Sequence, residues 1–207
     1  MTKVSRKYQD RVRKRLLESA DVKKKVAQDC LESILAATQL IVDTFESGGK
    51  VMICGNGGSA ADSQHMAGEL ICVLNKEFDR PGLPAIALTT DTSILTASAN
   101  DMGFENVYKR QVLTLGRPGD LLIAISTSGN SPNILAAAQA AREALIHTIA
   151  LTGKEGKLQK IADVAVCVPS NMTQCIQESH IAIEHIICEL VEHHFFGSKI
   201  GKNKAWL

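Results

Sequence analysis

The sequence predicts an α/β protein built on one doubly wound, five-stranded parallel sheet flanked by helices. Three observations carry that prediction. Five short apolar runs recur along the 207 residues, "KVMICG", "PAIALT", "DLLIAIS", "HTIALTG" and "VAVCVP", and each is continuous rather than alternating, as in strands covered on both faces. Stretches of helical spacing separate them, the alternation expected of parallel strands joined by crossover helices. Glycine- or hydroxyl-rich turns follow the first four runs: "GNGGS", "TTDTS", "STSGNS" and "TGKEG". Ligands bind at that end of the strands in such sheets.

Taken in order, residues 1–25 are rich in Lys and Arg, with "RVRKRLLES" and "DVKKK". A nucleic-acid arm is one reading. The preferred one is a solvated helix face with Val12, Leu16 and Leu17 turned inward. From Lys23 to Phe45 the pattern sets Val26, Cys30, Ile34, Ala37 and Ile41 at helical spacing, and "ESGGK" closes that helix with glycines. Further helices are expected at 59–74, about 93–115, 133–145 and 156–162, and a long one from about Gln174 to Phe195. No linker, repeat or low-complexity segment divides the chain. The expected organisation is a basic helical extension at 1–22, one domain at 23–197 and a loosely attached tail at 198–207.

Composition excludes several classes. Aromatics are 4% of the chain, too few for stacking platforms that bind single-stranded nucleic acid. A net charge of +1 gives no global bias towards nucleic acid or an anionic membrane. The N-terminus has no apolar signal core, and no apolar run approaches the ~20 residues that span a bilayer. Six cysteines lie in apolar stretches without a CxxC pair, the pattern of reduced buried thiols in a cytoplasmic protein.

Two of the turns suit an anion. "STSGNSPN" offers Ser126, Thr127, Ser128 and Ser131, with Pro132 in a first helical turn. Its hydroxyls, free backbone N–H groups and the positive end of the helix can all point at one phosphate. An ordinary hydroxyl-rich N-cap is the plainer reading of one such loop. The second loop, "GNGGSAADS", after a neighbouring strand, turns the balance towards a phosphorylated ligand. Neither loop is GxxxxGK[ST], nor GxGxxG with an acidic partner, so neither ATPase nor dinucleotide chemistry is expected.

Reactive groups stand beside the first loop. His65 and Glu69 are four apart and share one helix face. That spacing suits two metal ligands, one ligand beside a general base, or a plain surface ion pair. The last helix carries Gln177 and His185, eight apart and about 80° apart around the axis, with His180 and Glu184 as rivals between them. Spacing does not choose between the two histidines. His193 and His194 read as exposed polar residues.

The blocks "CGNGGSAADSQHMAGEL", "RPGLPAIALTTDTSILTASAND", "GRPGDLLIAISTSGNSPN", "IALTGKEG" and "IQESHIAIEHI" resemble the sugar isomerase (SIS) domain family, specifically the bacterial phosphoheptose isomerases, from about residue 30 to 195. The resemblance implies a single SIS domain that converts D-sedoheptulose 7-phosphate to D-glycero-D-manno-heptose 7-phosphate for activated heptose and surface polysaccharide. It implies a cytoplasmic homotetramer with zinc. By matching positions, Asn56, Gly57, Gly58, Asn100 and Asp101 contact the sugar, and Ser126, Thr127, Ser128 and Ser131 hold the phosphate with Ser59 close by. His65, Glu69, Gln177 and His185 are the implied metal ligands, Glu69 and Gln177 also touching substrate, with Glu69 and His185 as base and acid. His180 keeps a structural role. Two positions depart from the pattern: Val73 and Cys175 stand where many members have Arg, which bears on substrate preference. The segment "CVLNKEFD" is also slightly longer than usual. Rival readings are a non-catalytic SIS protein that binds a phosphosugar or a replication initiator, and an isomerase of another sugar phosphate. Retention of both Glu69 and His185 favours the heptose enzyme.

Overall fold

The computed structural model describes residues 3–74 and 80–197. The expected C-terminal tail, and residues 75–79 of "CVLNKEFD", lie outside the described residues. The elements run α1 (Lys3–Asp29), α2 (Leu31–Glu46), β1 (Val51–Cys54), α3 (Gly58–Ile71), β2 (Ala85–Ala87), α4 (Thr92–Met102), α5 (Val107–Leu115), β3 (Leu121–Ser126), α6 (Pro132–Glu143), β4 (His147–Thr152), β5 (Val164–Cys167) and α7 (Thr173–Phe196). All five strands are parallel, in the order β2-β1-β3-β4-β5. Strand order reverses between β1 and β3, so the turns after these two strands flank the switch-point crevice.

The apolar runs form strands because both faces are covered. Every residue of β1 and β3 is buried. Val51, Ile53, Leu121 and Ile123 pack with Ile34 and Ile41 of α2, Met66 and Leu70 of α3, and Ile183 and Ile187 of α7. Met52, Leu122 and Ala124 point the other way, into Val107 and Val112 of α5 and Ile134, Ala137 and Ala141 of α6. The period-2 reversal of side chains thus splits one sheet between two cores. No helix among the described residues is long and apolar enough to cross a membrane.

Several expectations are corrected. The helix at 23–45 is two helices, because α1 runs on to Asp29 and bends at Cys30. Hydrogen bonding continues through the bend, Cys30 N donating to Val26 O and Ile34 N to Cys30 O, while the Cys30 thiol donates to Cys167 O at 3.4 Å. The helix at 93–115 is broken by Gly103, whose φ of +84° ends α4, and a 3-10 turn at Phe104–Asn106 leads into α5. The stretch at 156–162 contains only a 3-10 turn at Leu158–Lys160. Val12, Leu16 and Leu17 do not turn inward: they are 58%, 68% and 58% exposed. Among the described side chains of α1, those that reach the core begin at Ser19 and continue through Val22 and Val26. Among the cysteines, Cys72 is exposed and Cys167 only half-buried, and all six are free.

The end of α6 carries a small strain. Ile146 N donates to Ala141 O and Leu145 N to Arg142 O, the double closure of a Schellman motif. Leu145 occupies its left-handed position at φ +58° and is 75% exposed. Glycine adopts that conformation freely, whereas other L-residues pay about 1–2 kcal/mol. Leu145→Gly should therefore raise unfolding stability by about 1 kcal/mol, measured by urea denaturation. A loss of stability would show that the side chain contributes packing that its exposure conceals.

Candidate active site

The two turns at the switch point are joined across it. Asn56, after β1, and Asn133, in the first turn of α6, exchange amide hydrogen bonds: each Nδ2 donates to the other Oδ1 at 2.8 Å. Asn133 is 2% exposed. Sequence reading missed it, because its partner lies 77 residues away and a second-position Asn after "SP" reads as ordinary helix-start chemistry.

Beyond β3, Ser126 Oγ lies 3.0 Å from Ser131 Oγ and 3.4 Å from Ser128 Oγ. The three hydroxyls therefore converge where α6 begins, with Pro132 as its first residue. Ser131 makes no side-chain cap on α6, and although Ile134 N donates to Asn133 Oδ1 at 3.0 Å, the positive end of the helix still faces the hydroxyls and suits an anion. A cavity of about 260 Å³ opens beside this loop, lined by Thr127, Ser128, Glu155, Ser170, Asn171 and Thr173. The last three, in "PSNMT", were not singled out from sequence. Their signal was a fifth polar turn, following the fifth strand.

The reactive groups come from α3 and α7, which lie side by side. His65 Nε2 is 2.7 Å from His185 Nε2, with the rings edge to face at 4.8 Å between centroids. Glu69 Oε1 is 3.5 Å from His65 Nε2. Donor atoms of His65, Glu69 and His185 all lie within 4.8 Å of one another. Two imidazole nitrogens and a carboxylate oxygen, partly exposed and convergent, form a donor set that suits zinc. The pair at 2.7 Å has one proton to share, or two lone pairs to offer a cation.

Gln177 lies two turns before His185, against the start of α3. A Cβ built on Gly58 would fall 2.5 Å from Gln177 Nε2, so the absence of a side chain at 58 admits this approach. Ser59 is buried in the first turn of α3, where its carbonyl accepts from Ser63 Oγ. Asn100 and Asp101 stand apart. Asn100 Nδ2 donates to Asp101 Oδ1 at 2.8 Å on the exposed end of α4, in the helical layer opposite α3 and α7. Among the described residues, no side-chain hydrogen bond or ion pair within the protomer ties them to the triad. Cys175 is buried and Val73 half-buried.

Behind the triad sits a buried polar layer. His180 and Glu184 are both fully buried on α7, which separates them from exposed His185. Glu184's carboxyl is pushed up to about 8, first by burial and then by the charge of Asp62. Burial also raises Asp62, against the opposing pull of His65. His180 Nε2 lies 3.2 Å from Thr152 O and must donate to it, so Nδ1 carries the lone pair. Burial pushes His180 down to about 4, outweighing that hydrogen bond.

His180 has a pH consequence. Its folded pKa lies below the unfolded value of about 6.5. Its contribution to stability is complete above pH 6.5 and is lost as pH falls towards 4. Up to about 3 kcal/mol is at stake over that window. His180→Gln should lose less stability than the parent between pH 7 and pH 4.5 in matched urea titrations. Equal losses would mean that His180 does not titrate in this range.

Comparison with known proteins identifies the family. A family model described as the SIS domain matches residues 16–153. The chain is 52% identical over 190 residues to a phosphoheptose isomerase of Chlorobaculum parvum, covering 91% of each chain. Its structure is similar to phosphoheptose isomerases of Neisseria gonorrhoeae and Francisella tularensis. The first is 43% identical with a TM-score of 0.84, over 89% of this chain and 98% of that one. The second is 37% identical with a TM-score of 0.86, over 93% of this chain and 100% of that one. With the phosphate-type cradle and the His-Glu-His cluster in the corresponding fold, the chain belongs to the SIS domain family and, within it, to the phosphoheptose isomerases.

Proposed function

We propose that this enzyme interconverts D-sedoheptulose 7-phosphate and D-glycero-D-manno-heptose 7-phosphate. The observation that carries the reading is the convergence of His65, Glu69 and His185 at the mouth of a sheet whose switch point also holds a phosphate-type cradle. Ser126, Thr127, Ser128 and Ser131, with the start of α6, are assigned the phosphate. Asn56, Gly57, Gly58, Ser59, Asn100 and Asp101 are assigned the sugar. The exposed apolar residues Tyr8, Val12 and Leu16 on α1 would offer a homotetramer a surface.

The chemistry follows from proton positions. A base removes one hydrogen from C1 of the ketose as a proton, and the C2 carbonyl oxygen gains a proton, which gives a C1–C2 enediol. Return of a proton to C2, with loss of the O1 proton, yields the aldehyde. Glu69 and His185 are assigned these two roles on opposite sides of the open chain. The site residues His65, Glu69, Gln177 and His185 would hold zinc, which when bound polarises the carbonyl and hydroxyl oxygens as a Lewis acid. Free cysteines and the phosphorylated substrate fit a cytoplasmic enzyme supplying activated heptose for lipopolysaccharide. Val73 and Cys175 stand where the family resemblance implies Arg, so anionic groups beyond the phosphate are expected to bind weakly.

A coupled assay with sedoheptulose 7-phosphate tests the reading directly. Glu69→Gln and His185→Ala should each lower kcat by about 10³-fold or more while the fold is retained by circular dichroism. Parent protein that is folded, zinc-replete and inactive on this substrate but active on a pentose or hexose phosphate would overturn the heptose assignment.

A further inference from the structure

The end of α3 is held by one buried ion pair that no part of the proposed chemistry uses. Arg80 and Glu192 are each 1% exposed at the side chain, with Arg80 Nε 2.8 Å from Glu192 Oε1. The rest of the guanidinium is spent on backbone. Nη2 donates to Glu69 O at 2.8 Å, and Nη1 donates to Leu70 O at 2.9 Å and Pro81 O at 3.0 Å. Its Cζ lies over the Phe196 ring, 5.6 Å from the ring centre. Glu192 Oε1 also accepts from Leu74 N at 2.9 Å.

Those contacts fall on a weak point of the site. Glu69 and Leu70 lie in the last turn of α3, where carbonyls have no partner within the helix. His65 sits one turn earlier, inside the complete ladder, whereas Glu69 sits where helices fray. Arg80 supplies a donor to Glu69 O, shares Leu70 O with Leu83 N, which donates to it at 3.0 Å, and places a cation at the negative end of the helix. It is tied to α7 at Glu192, seven residues beyond His185 and on nearly the same helix face. The buried thiol of Cys188, between them on α7, lies in the field of Glu69, Glu192 and Arg80 together. One guanidinium therefore joins the turn carrying Glu69 to the helix carrying His185. Its donors are engaged with backbone and Glu192, so it does not replace the surface charge missing at Val73.

We infer that Arg80 and Glu192 are positioning residues for the isomerase site, fixing the last turn of α3 against α7 so that the Glu69 carboxylate faces His65 and His185. The inference rests on the isomerase reading above. The effect is specific: it should weaken steps that need Glu69 and leave phosphate binding at Ser126–Ser131 alone.

Arg80→Lys keeps the buried charge but cannot cap two carbonyls and reach Glu192 at once. It should lower kcat for sedoheptulose 7-phosphate by about tenfold or more, with KM changed less than about threefold. Titration of metal-free protein with Co²⁺ alone, followed by visible absorption, should show about tenfold weaker binding, the usual effect of losing an outer partner. The double variant Arg80→Met/Glu192→Met removes both charges, so no unpaired ion is left to unfold it. It should recover the parent's Tm while kcat and Co²⁺ affinity stay low. Parent-like kcat and Co²⁺ binding in either folded variant would overturn the inference, as would losses that return with Tm in the double variant. A parent that binds Co²⁺ through His65 and His185 yet does not turn over heptose phosphate would instead overturn the isomerase reading, leaving the Co²⁺ comparison to decide the positioning role.

Discussion

Everything the site can do depends on α3 and α7 packing against each other at one edge of the sheet. Each helix brings only part of the chemistry: His65 and Glu69 from one, His185 and Gln177 from the other. The contact that brings two imidazoles to 2.7 Å is made possible by features that are individually plain. Met66 and Leu70 of α3 and Ile183 and Ile187 of α7 share one core with the sheet, which leaves flanking faces of the two helices to meet at the surface. Gly58 lets the start of α3 approach Gln177. The buried layer of His180, Glu184 and Asp62 underlies the same face. Reactive groups are thus presented at the rim of a hydrophobic wedge whose shape is set elsewhere.

The phosphate-type cradle has a different origin. It needs no cation, and none of its serines carries charge. The strand order β2-β1-β3-β4-β5 makes the turns after β1 and β3 adjacent, and the Asn56–Asn133 amide pair closes the gap between them. In the proposed reading, this loop anchors the charged end of a sugar phosphate and the α3–α7 cluster moves the protons. Division of labour between binding and chemistry then follows from geometry, since the two sets of residues sit on different elements.

Much of this was legible in the sequence, for a definable reason. The strands are covered on both faces, so their apolar runs stand out, and hydroxyl- and glycine-rich turns after them mark the ligand end of the sheet. The relation of His65 to Glu69 is local and needs only the helical period. What stayed hidden involves pairing at long range. Periodicity left His180 and His185 as equals; burial separates them, because His180 points into the sheet at Thr152 while His185 stays exposed. Asn133, Arg80 and Glu192 carry no local signature at all. The bend at Cys30 was invisible because the apolar spacing continues through it without a break. The first half of α1 misled for the opposite reason: an amphipathic pattern states that a helix has an apolar face, not that its own chain covers it.

The central claim is that this site moves a proton between adjacent carbons of a phosphorylated sugar through an enediol. The most direct test is turnover of sedoheptulose 7-phosphate in D₂O, with the product read by NMR. The account predicts solvent deuterium at C2 of the aldose heptose 7-phosphate. Conversion without any deuterium entering the sugar would contradict a solvent-exchanging enediol formed by Glu69 and His185.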